Sequence, residues 1–87
     1  MHYLLVTHRL SDFDGWHRLL RAHAQAQRDV GLHLLHVLRD VADPTRVVAM
    51  FRVDDLERAR AFTEAPAASD AGREAGVISV EMSYWTE

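Results

Sequence analysis

The sequence predicts an α+β domain with the element order β-α-β-β-α-β, and three observations carry that prediction. Four short runs rich in β-branched, aromatic and other apolar residues, at 3–7, 32–41, 46–53 and 77–85, read as strands. The stretch 13–30 repeats apolar residues at helical spacing, and a capping-box pattern at 54–57 opens a second helix through Phe62. Gly31, Asp43-Pro44 and Gly76 fall between these stretches and supply the stops and the hairpin turn.

Each element has a local reason. The first strand ends near Arg9, and Ser11 is expected to cap the first helix, with Asp12 and Asp14 in the turn that the helix dipole favours for acids. Along that helix Phe13, Trp16, Leu20, His23 and Gln27 follow one stripe, with Leu19, Ala26 and Val30 beside it. Asp54-Asp55-Leu56-Glu57 resembles a capping box with Asp54 as the cap. The second helix is expected to break before Pro66 and to resume to Ala75. This order is the split βαβ, ferredoxin-like arrangement: a four-stranded antiparallel sheet with both helices on one face.

The chain has 87 residues and 48% of them are hydrophobic, enough for one domain spanning 1–87 but little more. It has no cysteine, which excludes a disulfide scaffold, a thiolate nucleophile and Cys-ligated metal. All ten basic residues are Arg, so a Schiff-base lysine is excluded as well. A formal charge of −3 argues against nucleic acid as a partner. No apolar run approaches the ~20 residues that span a bilayer, and a cytoplasmic location is expected. The glycines are isolated, so no phosphate-binding loop is present. Neither HExxH nor a two-His-one-carboxylate spacing occurs, and no metal or other cofactor is expected.

Strand alternation sorts the remaining residues by face. His36 is expected beside Leu32, Leu34 and Leu38 on the helix-covered face, and Tyr84 beside Ile78, Val80 and Met82. The opposite face would carry Leu5, Leu35, Val37, Val48, Met50, Val77 and Trp85, with Arg39, Arg52 and Glu81 as its polar members. So much apolar surface calls for a cover, and a second copy of the sheet is the simplest one, which predicts a homodimer.

His8-Arg9-Leu10-Ser11-Asp12-Phe13-Asp14-Gly15-Trp16, with His23 seven residues on, resembles the opening of small dimeric α+β barrel proteins of the antibiotic-biosynthesis-monooxygenase-like superfamily. Arg39-Asp40-Val41-Ala42-Asp43-Pro44 resembles its hairpin, and Asp54-Asp55-Leu56-Glu57-Arg58-Ala59-Arg60-Ala61-Phe62 its second helix. The resemblance covers nearly the whole chain. It implies a pocket between the helices and sheet of each subunit, with His8 and His23 projecting into it. Cofactor-free oxygenases, polyketide cyclases and lactone isomerases share this fold, and the fold does not choose among them. The oxygenases use Asn, Trp and Tyr or Arg around an aromatic substrate, and this chain departs from them in having no Asn.

Six histidines are the compositional oddity. His8, His23 and His36 are expected to converge on the pocket as the catalytic groups, since a buried imidazole needs a partner and titrates near neutrality. Trp16, Leu20, Phe51 and Tyr84 are expected to bind substrate, while His2, His17 and His33 are assigned to surface or interface. The function these residues imply is a cofactor-independent enzyme of specialised, polyketide-like metabolism. It would use histidine acid–base catalysis to cyclise, dehydrate or isomerise a hydrophobic carbonyl-bearing small molecule. The alternatives are a cofactor-free monooxygenase acting on a phenolic substrate and a non-catalytic dimeric ligand-binding module.

Overall fold

A computed structural model describes residues 1–65, 70 and 72–87. The elements are β1 (His2–Leu10), α1 (Phe13–Ala22), α2 (Ala24–Asp29), β2 (Leu32–Arg39), β3 (Arg46–Val53), α3 (Leu56–Glu64) and β4 (Val77–Thr86). The strands form one antiparallel sheet in the order β2-β3-β1-β4, so the expected ferredoxin-like topology is present. Alternate residues of the two central strands face the helices and are buried: Leu4 and Val6 of β1, and Val47, Ala49, Phe51 and Val53 of β3. Trp16 and Leu20 of α1 and Ala59 of α3 close the core over them. Leu4 and Val47 are wholly buried, a burial worth about 1.5–3 kcal/mol for each such side chain.

Both helix caps lie one residue beyond the expected positions. Asp12, not Ser11, caps α1, because its Oδ1 accepts from the Gly15 N–H at 3.1 Å. Ser11 instead ties the chain across to β4: its N–H and hydroxyl both donate to the Gly76 carbonyl, at 2.8 and 3.1 Å. Gly76 has a φ of +94°, and a Cβ there would meet Ser11 Oγ at 2.8 Å, so only glycine makes this turn. Asp55, not Asp54, caps α3 through the N–H groups of Glu57 and Arg58 at 3.0 and 3.2 Å. Asp54 is drawn away by His33, at 2.7 Å, and Arg52, at 3.6 Å.

The first helix, expected to run to residue 30, is two. It breaks at His23, which ends α1 and begins α2, and α2 packs beside β2. β2 stops at Arg39 rather than residue 41, because Asp40 Oδ1 captures the N–H groups of Ala42 and Asp43 and turns the chain. Asp70 and residues 72–74 are helical, and the expected break at Pro66 lies outside the described residues.

Two register shifts change the faces. In β2 the pairing slips between Leu34 and His36. Leu32 and Leu34 face the helices, but beyond the slip Val37 and Arg39 do, whereas His36 and Leu38 join the open face. A bulge inserts one residue, and since the side-chain period is two, every residue after it changes side. Near Arg9 and Leu10 a second shift pairs Leu10 with Val77 and sends Val77 to the core. The expected placement of His36, Val37, Arg39 and Val77 is thereby corrected. None of the described helices is long and apolar enough to cross a membrane.

Candidate active site

Cross-strand pairing lays out the helix-facing side as rows. Arg39, Val47, His8 and Val80 form one row; Val37, Ala49, Val6 and Met82 the next; Leu34, Phe51, Leu4 and Tyr84 a third; Leu32, Val53, His2 and Thr86 the last. His8 therefore sits mid-sheet, on the side that α1 covers. Trp16 stands on the first turn and a half of α1, and its ring lies 5.0 Å from the His8 ring at 55°. Phe13 backs Trp16 at 5.9 Å, and the Arg39 guanidinium caps Phe13 at 4.1 Å from its ring centre. Arg39 was expected on the opposite face; the β2 bulge is what brings its charge to the rim of this site.

His8 Nδ1 is buried and has no hydrogen-bond partner. Burial pushes its pKa down from 6.5 to about 4, because the apolar surroundings penalise the imidazolium. At neutral pH the ring is uncharged, and its orphaned nitrogen is a base or hydrogen-bonding group held without a protein partner. On one flank lie Val80 and Met82 of β4, which face the helix side yet are 47% and 43% exposed. An imidazole with an idle nitrogen thus borders an uncovered apolar floor.

The other expected catalytic residues are elsewhere. His23 is exposed at the α1–α2 break, seven residues and so about 10 Å along the helix from Trp16. His36 is exposed on the opposite face of the sheet, paired with Met50. Of the expected binding residues, Trp16 touches His8, while Leu20 and Phe51 are buried within the core. Tyr84 lies four residues along β4 from the His8 row, about 13 Å away. Its hydroxyl is 3.0 Å from Thr63 Oγ1. Among the described residues no three His, Asp or Glu side chains gather as a metal site.

The sequence reading missed His2. It shares the alternation of Leu4, Val6 and His8 and so faces the helices, where its Nδ1 is also buried without a partner. That parity was the available signal. His17 stacks on Phe13 at 5.6 Å, and His33 pairs with Asp54. Of two hollows among the described residues, neither is lined by Trp16, Leu20 or Phe51. One of about 260 Å³ opens among Thr7, His8, Arg9, Arg46, Ser79 and Glu81. The other, of about 190 Å³, is bounded by His2, Leu56, Arg60, Tyr84, Trp85 and Thr86.

No family model matches the chain, and no curated protein does. Solved structures do. A protein from Deinococcus radiodurans named for antibiotic biosynthesis monooxygenase aligns over 100% of this chain and 92% of its own, at 20% identity and a TM-score of 0.66. One of the same name from Nitrosomonas europaea aligns over 100% and 98%, at 19% identity and a TM-score of 0.63. A NIPSNAP-family protein of unknown function from Agrobacterium tumefaciens aligns over 100% and 87%, at 14% identity and a TM-score of 0.68. At such identities the likeness is one of fold, and the chain shares the α+β fold of the antibiotic biosynthesis monooxygenase-like proteins.

Proposed function

We propose that this protein is a cofactor-independent enzyme that removes a proton from a hydrophobic, carbonyl-bearing small molecule, with His8 as the base. The observation that carries the reading is the buried, unpartnered Nδ1 of His8 beside Trp16. A base of pKa about 4 is weak alone. It gains basicity once an anion forms against it, because an enolate or phenolate offsets the burial penalty of the imidazolium. The low intrinsic pKa then returns the proton readily, which suits isomerisation, dehydration or ring closure. Trp16 walls the substrate, Val80 and Met82 support its apolar body, and Arg39 places positive charge at the rim. His23, exposed at the helix break, is not part of this mechanism.

The names of the fold neighbours support a second reading that shares the first step. The anion of an electron-rich phenol reduces dioxygen itself: one oxygen atom enters the ring, and the other leaves as water with two substrate hydrogens. The same incubation separates the readings. A hydrophobic 1,3-dicarbonyl compound and a hydroquinone-type naphthol are each given to the wild type and to His8→Gln in deuterated water. Proton exchange without oxygen uptake supports the isomerase or cyclase class, and oxygen uptake supports oxygenation. Identical rates in wild type and variant leave the non-catalytic ligand-binding module.

We also propose that two copies pack sheet to sheet. The open face carries Leu5, Leu38, Val48, Met50 and Trp85. Four strands of about eight residues present ~500 Å² per subunit, so a pair buries ~1,000 Å² through the sheets alone, the lower bound for a specific interface.

A further inference from the structure

The hollow at the other end of the helix-facing side is a second site, about 20 Å along β1 from His8. It lies where β1 begins and β4 ends, under the first turns of α3. Its walls combine two kinds of group. The ring of His2, whose Nδ1 is itself buried and leaves Nε2 as the atom toward the hollow, and the guanidinium of Arg60 supply nitrogen donors. Tyr84 and Leu56 supply aromatic and aliphatic surface, and Trp85, whose side chain turns to the open face, borders the rim. Arg60 is held in place, its guanidinium 5.0 Å from the centre of the Tyr84 ring, and makes no ion pair among the described residues.

The Tyr84 ring is fixed in turn. Thr63 has one hydroxyl proton, which it gives to the carbonyl of Ala59 at 3.0 Å or Arg60 at 3.3 Å. The contact of 3.0 Å between the two hydroxyls is therefore donated by Tyr84. With its proton spent on Thr63, the phenol acts as a wall rather than an acid. Among the described residues no carboxylate lines the hollow, and Arg60 gives it a positive charge.

We propose that this hollow binds a small aromatic carboxylate, the ring against Tyr84 and Leu56 and the carboxylate on Arg60 and His2. The volume of about 190 Å³ fits that class, since a cavity of about 150 Å³ accepts benzene. A guanidinium already stacked on an aromatic ring binds a carboxylate with little further ordering. The site does not rest on the His8 reading, and His8→Gln leaves it intact.

The test is a titration of the whole protein with benzoate, followed by the imidazole and backbone NMR signals of His2, Arg60 and Trp85. Saturable shifts at these residues, with a dissociation constant of about a millimolar, are expected for so small a ligand. Benzamide, uncharged and of the same shape, should bind about tenfold more weakly, and Arg60→Gln should weaken benzoate about tenfold. Arg60 is exposed, and circular dichroism checks that the variant stays folded. Arg46→Gln, in the other hollow, should leave benzoate affinity unchanged. The proposal is overturned if shifts fail to saturate at about ten times the expected constant, if benzamide binds as well, or if Arg46→Gln rather than Arg60→Gln abolishes binding.

Discussion

The His8 imidazole rests 5.0 Å from the Trp16 indole, tilted 55° to it, with Nδ1 buried and bonded to nothing. Leaving a polar nitrogen unpaired in a core costs about 1–3 kcal/mol. A leucine on the same strand parity would pack there without that penalty. A ligand that displaced the apolar cover over Nδ1 and bonded it would recover that cost.

His8 makes stability depend on pH in a definite window. Its folded pKa of about 4 lies below the ordinary 6.5, so the unfolded chain binds the proton more readily. The contribution is complete above about pH 6.5 and is lost as pH falls toward 4, reaching about 2 kcal/mol lost at pH 5. Urea unfolding across this range should show the decline, and His8→Leu should flatten it. The pKa values of Asp40, Asp43 and Asp54 are held below 3.8 chiefly by hydrogen bonds, so their loss of stability falls at lower pH and stays in the variant.

Met50 tests the sheet-to-sheet pairing. It lies between Leu5 and His36 on the open face. Sedimentation of the wild type should give twice the 9.9 kDa chain mass, and Met50→Glu should give 9.9 kDa with the fold retained. A wild type that sediments as a single chain at micromolar concentration contradicts the dimer.

The cap of α3 should be worth about 1 kcal/mol. Asp55→Ala removes the acceptor for the Glu57 and Arg58 N–H groups and should lower the denaturation midpoint accordingly. Asp54→Ala leaves that cap in place and breaks only exposed pairs with His33 and Arg52, so its effect should be smaller.

The order of elements and the central core were readable because β1 and β3 alternate cleanly and their buried residues are all apolar. The faces of β2 were not. His33-Leu34-Leu35-His36-Val37-Leu38 offers apolar residues at both parities, so nothing in the pattern marks the inserted residue at the bulge. His36 was lost from the site by that one slip, and Arg39 gained. His23 continues the stripe of Trp16, yet the helix breaks there with neither proline nor glycine beside it to signal the break. The adjacent pairs Ser11-Asp12 and Asp54-Asp55 each hold two good caps, and only tertiary partners decide between them. Of the expected trio His8 alone lies beside Trp16, placed there by plain alternation under the helix above.

The most direct measurement is a nitrogen-15 NMR titration of the His8 ring, alone and with the acidic 1,3-dicarbonyl probe. The prediction is a neutral ring in the free protein down to about pH 4 and a protonated one when the probe's anion is bound at neutral pH. A free-protein midpoint near 6.5, or a ring that stays neutral with the probe saturating the site, would contradict His8 as the buried base.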